Sequence, residues 1–136
     1  MFQRIFIFML IFSICLSCKT NQIIYNETIP VEETAIIRLG SEIKIVSFNG
    51  DDVNWVSGFW KSPHFIIPSG KSNSVLSISA DRGGYRYSGG RFNLTYTFEK
   101  SNKYLIYLKE IKNLWEISIQ INNETKKTKE IIVLRL

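Results

Sequence analysis

Two stretches of this chain alternate apolar and polar residues with a period of two. Phe92, Leu94, Tyr96 and Phe98 are separated by Asn93, Thr95 and Thr97, and Trp115, Ile117, Ile119 and Ile121 by Glu116, Ser118 and Gln120. Successive side chains of an extended strand point to opposite faces, so the pattern reads as strands buried on one side. It does not fit a helix, whose apolar stripe recurs every three to four residues. Further strands are expected at residues 35–39, 42–48, 53–56, 64–67, 75–80, 104–108 and 130–134. Between them lie Asn49-Gly50-Asp51, Pro68-Ser69-Gly70, Asp81-Arg82-Gly83-Gly84, Ser88-Gly89-Gly90 and Ser101-Asn102, residues that accept positive φ or bond their own backbone. Short strands punctuated this regularly predict an all-β domain, an antiparallel sandwich or barrel, of which a single antiparallel β-sandwich is the expected form. Residues 109–114 have room for one helical turn, and residues 122–129 read as a charged hairpin loop.

The N-terminus follows a different logic. Arg4 leads into the apolar run 5–16, which stops at Ser17-Cys18-Lys19. A short basic start, an apolar run of about 7–15 residues and a small residue before the cleavage point make an export signal, too short for a spanning helix. The junction resembles the bacterial lipobox, in which a small residue precedes a Cys that carries diacylglycerol; Ser17 and Cys18 match it, and Cys15-Leu16 gives it the looser form found in spirochaetes and Bacteroidetes. The resemblance implies lipidation at Cys18 and a cell-envelope location. The alternative is an ordinary signal peptide whose two cysteines are apolar filler. Lys19 stands where the inner-membrane retention signal of some Gram-negative bacteria has Asp, which favours the outer membrane.

The expected organisation is therefore a lipoprotein signal peptide at 1–17, a lipidated tether at 18–33 and a β-sandwich domain at 34–136. The tether segment is polar, carries Pro30 and Glu32-Glu33, and shows no period. About fifteen extended residues would reach roughly 50 Å from the bilayer.

Composition narrows the function. Only Arg4 of the 17 basic residues leaves with the leader, so the mature chain keeps a net charge of +4 against 12 acidic residues. That excess suits a surface near anionic lipid or glycan and falls short of a nucleic-acid footprint. No cysteine follows Cys18, which excludes a disulfide framework, a thiol nucleophile and a Cys-ligated metal in the domain. No cofactor or metal is expected.

The chemistry-bearing residues each have a bland reading beside the functional one. His64, the one histidine, is a candidate base or a structural residue; a triad would need a nucleophile and a carboxylate around it. Asp51-Asp52 reads as a solvated turn, because a calcium loop needs six to eight oxygens at a spacing absent here. Trp55 fits an inward strand face, whereas Trp60, in Phe59-Trp60-Lys61, is the better placed ring for stacking on a sugar or partner. The segment Arg82-Gly83-Gly84-Tyr85-Arg86-Tyr87-Ser88-Gly89-Gly90-Arg91 sets three arginines and two tyrosines among glycines. It reads either as a loop that clamps an anionic ligand through Arg82, Tyr85, Arg86, Tyr87 and Arg91, or as a long hairpin with bends at its glycines.

Phe48-Asn49-Gly50-Asp51, then Ile67-Pro68-Ser69-Gly70-Lys71 before 75–78, then Phe98-Glu99-Lys100-Ser101-Asn102-Lys103-Tyr104, with Trp115 following, is an order of signals that resembles a group of small bacterial lipoproteins. These carry an immunoglobulin-like or transthyretin-like β-domain. Ser101-Asn102 stands where that group usually has Gly, and Asn tolerates the left-handed conformation. The resemblance implies an envelope location and a sandwich shape. The expectation is a non-enzymatic, membrane-anchored module that binds or scaffolds another envelope component. The alternatives are a glycan- or anionic-lipid-binding module using Trp60 and the Arg82 to Arg91 segment, and a hydrolase using His64 or Asp51-Asp52.

Overall fold

The structure, a computed structural model, describes residues 22–58, 62–82, 85–112, 114–122 and 128–135, with backbone alone for 80–82, 85–89, 114 and 128–135. These residues are nearly all strand. In chain order the strands are β1 (Gln22–Ile24), β2 (Thr34–Leu39), β3 (Ile43–Phe48), β4 (Asp51–Val56), β5 (His64–Pro68), β6 (Gly70–Arg82), β7 (Tyr85–Phe98), β8 (Lys103–Ile111), β9 (Leu114–Asn122) and β10 (Thr128–Arg135). They form a six-stranded sheet, β1-β5-β2-β8-β9-β10, and a four-stranded sheet, β4-β3-β6-β7.

One core joins the two sheets. Ile37, Phe65, Ile67, Ile106, Ile117 and Ile119 of the larger sheet and Ile43, Ile45, Phe48, Leu76, Ile78 and Phe98 of the smaller are buried in a single cluster. The alternation expected at 92–98 and 115–121 runs as the period requires: Leu94, Phe98, Ile117 and Ile119 are buried, while Phe92, Tyr96, Trp115 and Ile121 pack half-buried against them. Burying a Leu, Ile or Phe side chain contributes about 1.5–3 kcal/mol, which is what holds a disulfide-free domain of this size.

The larger sheet is not antiparallel throughout. β1 pairs parallel with β5, and β2 pairs parallel with β8. The cause is the chain path: β3 and β4 leave for the other sheet, β5 returns, β6 and β7 leave again, and β8 re-enters beside β2 from the same end. The Ile36 N–H donates to Asn102 O at 3.1 Å and the Gly40 N–H to Ile106 O at 2.7 Å along this seam. A Cβ on Gly40 would stand 3.0 Å from the Tyr107 Cβ and 3.2 Å from its Cα, so a glycine suits this close approach.

Bulges set the facing of the smaller sheet. Val46 is an extra residue between the Ile45–Leu76 and Ser47–Val75 pairs, and it shifts the inward phase from Ile43 and Ile45 to Phe48. On the other side Val53 and Asn54, the latter at φ +51°, oppose Val46, and Trp55 then points inward. Gly89 and Gly90 oppose Ile78 in a third bulge, with Gly90 at φ +78°.

Three local expectations need correction. The segment 18–33, read as an irregular tether, forms β1 and a 3-10 turn (Val31–Glu33) within its described part. Backbone bonds the period cannot reveal hold it: Tyr25 N–H to Ile66 O at 3.0 Å and Ser69 N–H to Glu33 O at 2.9 Å. Residues 109–114 form no helical turn. β8 runs on to Ile111, which pairs with Leu114 across a tight turn that sets Lys112 at φ +49°. The even positions of β9, expected to face solvent, include a buried Glu116 (4 % exposed) and Ser118 (0 %). β9 is flanked on both sides, with Ser118 in register between Tyr107 and Ile132, and Glu116 between Lys109 and Arg135.

At the β7–β8 turn it is Ser101, not Asn102, that adopts the left-handed conformation, at φ +63°. The Glu99 N–H donates to the Tyr104 hydroxyl at 2.7 Å and the Ser101 N–H to Thr34 O at 3.0 Å. These bonds hold the turn despite the cost of left-handed backbone to a residue with a Cβ. Ser101→Gly is therefore expected to stabilise the domain by about 0.5–1 kcal/mol, read as a raised urea midpoint at unchanged slope.

Candidate functional site

Of the residues singled out in the sequence, Cys18 and Trp60 lie outside the described residues. Arg82, Tyr85, Arg86 and Tyr87 sit on strand backbone. Arg82 pairs with Tyr85, Asp81 with Arg86 and Ala80 with Tyr87, so of the two readings of this segment the long hairpin holds, and these residues lie at the far end of β6–β7. β7 is an edge of its sheet, with its outer side unpaired among the described residues.

Arg91 continues this edge and is the one predicted ligand residue whose side chain is described. It is exposed on β7, on the outer face of the four-stranded sheet. There it lines a cleft of about 340 Å³ with Lys44, Asp52, Asn54 and Val75. A second cleft of about 360 Å³ adjoins it through Ser47 and Val75 and is lined by Asn73, Asn93 and Thr95.

Together the clefts make a polar trough across the sheet. The strands explain it: Lys44, Asn73, Asn93 and Thr95 are the outward partners of the core alternation, and the Val46 bulge brings Asp52 and Asn54 to the same rim. Thr95 donates from Oγ1 to Asn73 Oδ1 at 2.9 Å, which orients that amide and leaves its nitrogen as a donor towards the cleft. Asn49 Oδ1 accepts the Asn73 N–H at 3.0 Å, tying the Asn49-Gly50 turn to β6. Two cations, one carboxylate and three amides on a rigid sheet are donors and acceptors for a hydroxylated or anionic ligand.

Of the trough residues, the sequence marks only Arg91 and, within Asp51-Asp52, Asp52. Lys44, Asn54, Asn73, Asn93 and Thr95 come from four strands, and the signal available was only that each occupies an outward position.

Asp51 and Asp52 are both exposed, but they open β4 and do not form the turn itself, and they part company. Asp52 faces the trough, while Asp51 accepts a short hydrogen bond from the Tyr25 hydroxyl. Tyr25 also meets Phe48 edge-on at 5.0 Å and Trp55 at 5.8 Å between ring centroids. The bond to Asp51, then burial, then the carboxylate charge raise the Tyr25 pKa above its ordinary value. Tyr25 is neutral in this latch, so its contribution is complete below the unfolded tyrosine pKa of about 10 and is lost as pH rises through the higher folded value. Hydrogen exchange of residues 22–25 should accelerate above pH 10 more than the intrinsic rate does.

His64 opens β5 half-buried on the outer face of the six-stranded sheet. Burial, then Arg38, then Lys103 lower its pKa. Its charged neighbours are thus cations, not the carboxylate that would orient a catalytic base. No group of three or more His, Cys, Asp or Glu side chains among the described residues is placed to hold a metal ion.

No family model matches this chain, and no curated protein or solved structure matches it either.

Proposed function

We propose that this chain is a small, non-enzymatic lipoprotein of the bacterial cell envelope that binds an acidic or hydroxylated glycan in the trough of its four-stranded sheet. The observation that carries the reading is the convergence of Lys44, Arg91, Asp52 and Asn54 on one cleft, beside the amides of Asn73 and Asn93. Charged donors to an anionic ligand strengthen each hydrogen bond, and the amides match hydroxyl groups.

The anchor in this proposal is Cys18. It precedes Gln22, the first residue of β1, by four positions, a reach of about 14 Å at full extension. With β1 docked, the domain sits against the bilayer and not some 50 Å above it. The finer fold reading, an immunoglobulin-like or transthyretin-like sandwich, is supported by the Tyr104 hydroxyl bonded to backbone five residues upstream at the β7–β8 corner and by the two sheets around one core.

The test is retention of the full chain on immobilised acidic envelope polysaccharide. The Lys44→Ala/Arg91→Ala double variant should lose about tenfold or more in affinity with its melting temperature unchanged, because both side chains are surface groups. Undiminished retention would remove the trough from the account. Trp60 with the Arg82 to Arg91 segment is the second reading, and Arg91 belongs to both; loss of retention in Trp60→Ala but not in Lys44→Ala would favour it.

A further inference from the structure

The opposite face of the molecule carries a second, differently built surface. On the outer side of the six-stranded sheet, Gln22 is in register with His64, Ile24 with Ile66, Ile36 with both Ile66 and Lys103, and Arg38 follows the Ile37–Phe65 pair. Their outward side chains form two adjacent rows: Gln22, His64 and Arg38, then Ile24, Ile66, Ile36 and Lys103. Ile24 is 48 % exposed, and Arg38 and Lys103 are exposed and make no ion pair among the described residues. Among the residues whose side chains are described, Glu32 lines a cleft with Ile36 and Lys103 at one end of this face, and Glu116 is buried on β9, beyond β8.

We infer that this face, through Arg38, His64 and Lys103 and the flanking Ile24, Ile36 and Ile66, rests on the anionic phosphates of the membrane to which the chain is tethered. The inference rests on the anchored reading for the identity of the membrane. The position of β1 selects the occupant. The chain enters the fold at Gln22, in the same row as His64 and Arg38, and Arg38 lies two strands across, roughly 10 Å away. A lipid attached four residues upstream of Gln22 brings its own bilayer within reach of these cations. Basic side chains beside half-exposed isoleucines suit the boundary between headgroup and acyl chain. In this orientation the trough of the four-stranded sheet points away from the lipid, open to a ligand in the envelope.

Lysine footprinting of the full chain tests this with an internal control. Lys71 is exposed on β6, at an outward position of the opposite sheet, so it reports the face turned away. The chain is bound to vesicles of phosphatidylcholine alone or with a third phosphatidylglycerol, treated with a water-soluble amine-acylating reagent, and mapped by mass spectrometry. In the anionic vesicles Lys103 should react about fivefold more slowly relative to Lys71 than in the neutral ones. Raised salt and the Arg38→Glu substitution should each restore the ratio. Equal reactivity of the two lysines in anionic vesicles would overturn the inference, as would equal protection by inorganic phosphate with neutral vesicles, which would mean a free-anion site. The mass of the N-terminal peptide reports acylation of Cys18 in the same sample. An acylated chain with an unprotected Lys103 refutes the surface and leaves the anchor, and a protected Lys103 on an unacylated chain does the reverse.

Discussion

Replacing Trp55 by alanine is expected to lower the unfolding free energy by about 3–5 kcal/mol, the range for deleting a large buried aromatic. Trp55 is 5 % exposed although it belongs to β4, an edge strand whose residues are otherwise exposed or half-buried. Its ring stacks on Phe65 of the opposite sheet at 4.9 Å and 22° and lies 5.3 Å from Phe48. It is thus a direct aromatic bridge between the sheets. The bulge at Val53 and Asn54 turns it inward, so no neighbour on β4 can fill the space it would leave. Domains of this size are stable by about 5–15 kcal/mol, so the variant should lose a large fraction of its urea midpoint. Val56→Ala, next along the same strand but 47 % exposed, should change stability by no more than about 0.5 kcal/mol. Equal effects at the two positions would contradict the inward placement of Trp55.

Tyr25→Ala is expected to have the largest effect on how the domain is held, and a smaller one on the core. β1 is three residues long and exposed throughout. A strand that short is held by its neighbours more than by its own ladder, and Tyr25 supplies two ring contacts and the bond to Asp51. Without them β1 should open locally. Amides 22–25 and 64–66 would lose hydrogen-exchange protection while β3, β6 and β9 keep theirs. Under the proposed anchoring at Cys18, the chain free to extend from the lipid would then run from residue 18 to 33, and the reach would grow from about 14 Å to about 50 Å. Energy transfer between a bilayer dye and a label on Thr95 should fall accordingly. Tyr25→Phe keeps the rings and loses the hydroxyl's bonds to Asp51 and to Phe48 O, so it should show a partial opening.

The fold was legible wherever a single face is buried. Residues 92–98 alternate in the sequence and face as that alternation requires, and Asn49-Gly50, at φ +49° and +87°, forms the tight hairpin its composition predicts, whereas in 115–121 the alternation marks Ile117 and Ile119 and hides the burial of Glu116 and Ser118. What was not legible depends on pairing across long separations. β1 reads as tether because Gln22, Ile23 and Ile24 become a strand only by bonding β5, some forty residues later. The parallel β2–β8 pair is likewise invisible in either segment alone. Bulges hid a further layer, since Val46 and Gly90 break the period that the reading relied on. For the site, the Arg82 to Arg91 composition pointed to the right edge of the molecule and to Arg91. Of its glycines, Gly89 and Gly90 serve a bulge within the hairpin that the same composition also suggested. The trough partners on β3, β4 and β6 carry no local signature, since outward polar residues are common to every solvent-facing strand.

Metabolic labelling with a palmitate analogue, followed by membrane fractionation of the wild-type chain and Cys18→Ala, tests the central claim most directly. The account predicts a labelled wild-type chain in the membrane fraction, cleaved before Cys18. The Cys18→Ala chain should be unlabelled and keep its leader, because the peptidase acts only on the lipid-modified cysteine. A wild-type chain that is cleaved, unlabelled and recovered in the soluble fraction would contradict it.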